Sequence, residues 1–105
     1  MLTARADIRF TLEGRSYSVK PLRVAFNFGS GLLFTGEIIS DHPVYSYNET
    51  YDVNVDFFTV EDDAYAALLP VLKPGMGITM QAGSRILGTA ELSHFAYANA
   101  IGQER

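Results

Sequence analysis

A period of two runs through most of this chain and sets the narrowest limit on what it can fold into. Successive side chains of a β-strand point to opposite faces, so an apolar residue at every second position marks a strand with one face in a core. In residues 6–13, Ile8, Phe10 and Leu12 share one face, while Asp7, Arg9, Thr11 and Glu13 share the other. Leu22, Val24, Phe26 and Phe28 alternate with Arg23, Ala25 and Asn27, the clearest strand in the chain. Pro21 suits the start of that strand, because proline cannot donate to a central ladder. Residues 32–40 give an inward row of Leu32, Phe34, Gly36 and Ile38, in which Gly36 marks a bulge or a close approach. Tyr51, Val53, Val55 and Phe57 alternate with Asp52, Asn54, Asp56 and Phe58. Residues 78–82 and 85–94 form a hairpin about a turn at Gly83 and Ser84.

Turns separate these runs. Residues 13–16 and 29–31 contain glycine, which adopts a positive φ without steric cost. Residues 41–43 break the pattern, and residues 44–50 read as a tyrosine-bearing loop or irregular edge. One segment is helical instead. Tyr65, Leu68, Leu69 and Leu72 are spaced i, i+3, i+4, i+7, and the acids Glu61, Asp62 and Asp63 favour the positive end of a helix dipole. Pro70 limits that helix to a turn or two. Residues 96–105 either continue a strand or fray.

Six or seven short strands with glycine turns predict an all-β fold: one domain over residues 1–105, a small closed antiparallel barrel of about six strands or a sandwich. A barrel removes the exposed edges that invite aggregation. The 105 residues suffice for one core and not for two. Apolar residues at 48% and charged residues at 19% argue against disorder. No apolar run approaches the roughly 20 residues of a membrane helix, and residues 1–7 lack the long apolar stretch of a secretory signal. Cysteine is absent, which removes disulfides and thiolate chemistry and fits a reducing cytoplasm.

Few constellations request chemistry. Asp52, Asn54 and Asp56 resemble the opening of a calcium loop, but the sixth position is Phe57 and the twelfth is Asp63, so a strand's polar face is the better reading. His42 and His94 lack helix-spaced metal partners and read as surface or rim histidines. Ser16, Ser30 and Ser84 sit in no nucleophile elbow. No catalytic residue, cofactor or metal site is expected. Twelve acids against eight bases give a net charge of −4, which opposes grip on phosphate backbones. Residues 37–72 hold eight acids (Glu37, Asp41, Glu49, Asp52, Asp56, Glu61, Asp62 and Asp63) and no lysine or arginine. Within the stretch lie Tyr45, Tyr47, Tyr51 and Phe58. Aromatic anchors ringed by charge suit a protein-binding patch, and Tyr45, Tyr47, Tyr51, Asp52, Asp56 and Phe58 are its expected members.

Residues 78–92, ITMQAGSRILGTAEL, resemble the closing hairpin of the third domain of elongation factor Tu, whose pattern runs roughly FAIREGGRTVGAGVV. Gly83, Arg85 and Gly88 match it. Residues 23–28 resemble that family's RPxFxF strand, and residues 35–38 its TGxI strand, in the same order. Val24 stands for the family's proline, Ser84 and Ala90 for glycines, and a helical segment takes the place of an MPGD turn. The resemblance implies a six-stranded antiparallel barrel, with Gly36 and Gly88 where backbone or a bulky neighbour comes close. It also makes Arg85 a candidate contact. No GxxxxGK(S/T) loop occurs, so GTPase chemistry is not expected.

The leading expectation is a non-catalytic module, a stand-alone barrel of this kind that holds a basic protein; an immunity or antidote protein is one concrete form. The alternatives are a translation-related accessory protein that binds tRNA, and an enzyme with a cleft not legible in the sequence. For the tRNA reading, Arg9 and Arg23 lie on polar faces of strands that look adjacent, and Arg5, Arg15, Lys20, Lys73 and Arg85 would have to join them. A homodimer is compatible with so small a domain.

Overall fold

Antiparallel ladders close the alternating strands on themselves. The computed structural model describes residues 1–11, 16–18 and 22–98. Along it run β1 (Leu2–Phe10), β2 (Ser16–Ser18), β3 (Leu22–Asn27), β4 (Leu33–Ile39), β5 (Val44–Ser46), β6 (Thr50–Phe57), α1 (Asp62–Leu68), a 3-10 turn (Leu69–Val71), β7 (Met76–Ala82) and β8 (Arg85–Tyr97). Six strands make a closed barrel in the order β1-β6-β4-β3-β7-β8, as expected of an all-β domain. No helix among the described residues is long and apolar enough to cross a membrane. Leu12, Pro21, the turn expected near residues 13–15, and the tail after residue 98 lie outside the described residues.

The alternation sorts side chains as the strand geometry demands. Leu2, Ala4, Ala6, Ile8 and Phe10 of β1 point inward, as do Val24 and Phe26 of β3 with Phe28 just beyond it, and Val53, Val55 and Phe57 of β6. Among the described residues no charged side chain is buried. Phenylalanines fill one end of the interior edge-to-face: Phe26 against Phe57 at 5.2 Å, Phe28 against Phe57 at 5.4 Å and Phe28 against Phe34 at 6.2 Å between centroids. Such tilted pairs bring the positive ring edge to the negative ring face. Gly36 makes room for this packing, since a Cβ there would stand 2.7 Å from Val55 Cγ1 and 2.8 Å from Phe26 Cε2.

Three elements settle what the sequence left open or depart from its expectation. Residues 44–46, expected as a loop or irregular edge, form β5, which pairs with β2 in a separate ribbon and carries Tyr45 into the core. Next, β8 runs past His94, the continued strand that is one of the two expectations for the tail. Thr3 pairs with Ala96 and Arg5 with Ser93, so β8 holds one extra residue, and His94 absorbs the bulge at φ 52°. The left-handed region is tolerated better by histidine than by most residues. Past the bulge the strand runs on to Tyr97. Lastly, the helix separates the four residues grouped by spacing. Leu68 is buried and Leu72 half-buried, but Leu69 faces out at 54% exposure. Leu69 N–H still bonds Tyr65 O, while Pro70 tightens the next turn to 3-10 geometry.

Candidate functional site

The expected patch does not form one surface. Tyr45 is fully buried: its ring packs on Phe10 at 5.7 Å and on Tyr51 at 4.8 Å and 90°, and its hydroxyl meets Ser40 Oγ. Burial pushes the Tyr45 hydroxyl pKa up. Tyr45 is thus a core residue, because pairing of β5 with β2 turns it inward. Tyr51 is half-buried, and its hydroxyl accepts from Ser46 N–H at 2.8 Å, fixing the β5–β6 connection. Tyr47 is exposed. Phe58 lies just past the opposite end of β6, where the Arg23 guanidinium covers its ring at 4.9 Å.

The acids of the patch are largely occupied by the chain itself. Arg5 donates to both carboxylate oxygens of Asp52, at 2.8 and 2.6 Å, which holds the Asp52 pKa down and raises that of Arg5. Glu37 pairs with Arg23 at 2.9 Å. Asp56 lies directly across from Glu37 on the neighbouring strand, and partial desolvation plus that like charge raise its pKa. Glu61 pairs with the Met1 ammonium at 3.0 Å. Arg85 is exposed at the β7–β8 turn.

Two contiguous depressions cross β6, of about 370 and 430 Å³, sharing Arg5, Ile39 and Asn54. They bring the two histidines, far apart in sequence, to one surface: His94 lines one hollow and His42 the other. His94 Nδ1 lies 3.0 Å from Ser93 Oγ, but among the described residues no carboxylate hydrogen-bonds its ring to complete a nucleophile–base–orienter chain. Nor does any group of three or more histidine, aspartate or glutamate side chains among those residues stand where it could hold a metal. Arg9 and Arg23 do not converge either. Arg9 is on β1 and Arg23 on β3, strands separated by two others whichever way the barrel is followed, so the expected adjacency fails.

A different acidic aromatic surface forms at the α1 end. Asp62, Tyr65, Ala66 and Leu69 recur at i, i+3, i+4, i+7 and so line one helix face, while Leu68 and Leu72 occupy another. That face and Tyr97 wall a groove of about 560 Å³, with Asp63 at its rim. The rings of Tyr65 and Tyr97 stack at 3.9 Å with an interplanar angle of 1°. Tyr97 reaches this position because β8 continues past its bulge and its end is tied to the first residue, Ala98 N–H donating to Met1 O at 3.1 Å. Its hydroxyl donates to Asp62 Oδ1 at 2.8 Å and fixes that carboxylate beside the stack. Asp63 makes no ion pair among the described residues, and α1 carries no basic side chain. Sequence reading missed Tyr65 and Tyr97 as a pair; the signal available was the second helical row that starts at Asp62. The sequence matches no family model and no curated protein.

Proposed function

We propose that this chain is a non-catalytic protein-binding module whose α1 face holds a basic protein partner. The observation that carries the reading is the coplanar Tyr65–Tyr97 pair lining an open groove with Asp62 and Asp63, with Leu69 exposed at 54% beside it. Tyrosine supplies contact area at low entropic cost, and the carboxylate of Asp63, which makes no ion pair among the described residues, steers a cationic surface toward it. Elsewhere, Asp52, Glu37 and Glu61 already have cations of the same chain. A protein that masks a basic effector, as an immunity or antidote protein does, is one concrete form, and a chain without cysteine suits the cytoplasm as its place of action. The ordered resemblance of residues 22–92 to the third domain of elongation factor Tu supports a barrel of that kind, in which the helical segment provides the added surface.

Affinity capture with the intact chain, run beside an Asp63→Asn/Tyr65→Ala variant, tests this reading. Basic proteins retained by the first and lost by the second support it. Equal retention by both, or captured proteins that are not basic, overturns it.

A further inference from the structure

We infer that a hollow in the barrel wall binds a small zwitterion of the α-amino-acid class, with the ligand's ammonium between Asp7 and Glu91 and its carboxylate on Arg9. The hollow measures about 310 Å³ and is walled by Asp7 and Arg9 of β1, Thr50 of β6, and Thr89 and Glu91 of β8, with Gly77 of β7 at its edge. Strand register sets these groups side by side. Asp7 lies directly across from Glu91, and Arg9 lies directly across from Thr89 on one side and Thr50 on the other. Gly77 faces Glu91 from the next strand; a Cβ there would meet nothing within 4 Å, so the hollow is open on that side for a ligand's substituent.

Charges of both signs line this hollow, and the chain does not join them. Elsewhere on the wall it does. Arg23 bonds Glu37 directly across the β3–β4 ladder, and Arg5 reaches one diagonal step along the β1–β6 ladder to both oxygens of Asp52. Arg9 and Glu91 also stand one diagonal step apart, on the β1–β8 ladder. Yet the Arg9 guanidinium turns to the other neighbouring strand and donates through Nε and Nη2 to Thr50 Oγ1, at 3.3 and 3.1 Å. Among the described residues, Asp7, Arg9 and Glu91 make no ion pair. Like charges directly opposite in a ladder are destabilising, so an ammonium lodged between Asp7 and Glu91 offsets a cost that the fold carries without it. Arg9, oriented by a neutral hydroxyl, keeps further N–H donors for a carboxylate. A lone cation would leave Arg9 unused, and a lone anion would face the two acids. A molecule with both groups on one carbon suits all three side chains.

L-Alanine, ethylamine and propionate share a carbon frame and differ in their charged groups, and they are the probes. Binding to the intact chain at pH 7 is followed by NMR shifts of Gly77, Thr89 and Glu91. Alanine should bind roughly tenfold more tightly than either singly charged probe, the effect of one further charge-assisted hydrogen bond. Arg9→Gln should reduce alanine to the affinity of ethylamine. Glu91→Gln should weaken alanine and ethylamine together, by roughly tenfold, with near-ultraviolet dichroism unchanged. Ethylamine binding as tightly as alanine overturns the zwitterion assignment in favour of a bare cation site. Shifts that map outside the hollow, no shift at high millimolar alanine, or unchanged alanine affinity in Arg9→Gln overturn it as well. None of these residues lies on α1, so the outcome is independent of the capture experiment.

Discussion

A Cβ added to Gly88 would stand 2.1 Å from the carbonyl oxygen of Arg9, well inside any tolerated contact. Gly88 of β8 lies beside Phe10 of β1 in the ladder, where the two strands close the barrel. The obstruction is backbone, which no rotamer change relieves. Gly88→Ala should therefore cost at least ~3 kcal/mol, read as a lower urea midpoint, because β1 and β8 must separate locally. A loss below about 1 kcal/mol would show that the strands do not meet this closely.

Gly36 faces side chains instead, Val55 Cγ1 and the Phe26 ring. Gly36→Ala should cost ~1–3 kcal/mol by overpacking. Combining it with Val55→Ala should cost less than the sum of the two single changes, since the removed methyls open the space that the new one fills. Urea unfolding of the four proteins in this cycle measures the coupling, and strict additivity would contradict the contact.

Tyr45 distinguishes a core role from a binding role. With its ring fully buried, Tyr45→Ala should destabilise by ~3–5 kcal/mol, and Tyr45→Phe by only ~1 kcal/mol through loss of the bond with Ser40. Tyr47→Ala, at an exposed site, should stay within about 0.5 kcal/mol of the parent. Thermal melts of the three variants check the order.

Asp52 and Asp56 should pull the pH dependence of stability in opposite directions. The folded-state pKa of Asp52 is lowered by Arg5, so its stabilisation is present above the unfolded carboxylate range and disappears as pH falls through the folded value. Asp52→Asn should weaken the fold at pH 7 and have little effect in strong acid. Asp56 is raised by desolvation and by Glu37, so its relative contribution favours the fold only at low pH and is lost as pH rises through the folded value. Asp56→Asn should strengthen the fold at pH 7 and not in acid. Urea titrations at pH 3 and pH 7 compare the two, and a shared sign at pH 7 would refute the assignment.

Strand alternation made most of the barrel legible in advance. Val24 and Phe26, or Val53, Val55 and Phe57, could only be buried together if their strands shared one core, because a one-residue slip would turn every one of them to water. The glycines at 36 and 88 were likewise readable as points of close approach, though which atoms approach them was not. Helical spacing located α1, but a period of 3.6 does not say which of two neighbouring rows meets the core, and the row of Asp62, Tyr65 and Leu69 went unread as a surface.

What only tertiary structure decided is the company each polar or aromatic residue keeps. Tyr45 turned from anchor to core because β2 pairs with β5, a contact that local sequence does not encode. Asp52 lost its availability to Arg5, which lies 47 residues away along the chain. Tyr97 became part of the groove because one extra residue at His94 redirects β8 toward a helix more than twenty-five residues earlier. Side-chain period fixes the face on which a residue sits, whereas the closing of the barrel fixes what that face meets; the first is a local steric property, and the second follows from pairing between distant strands.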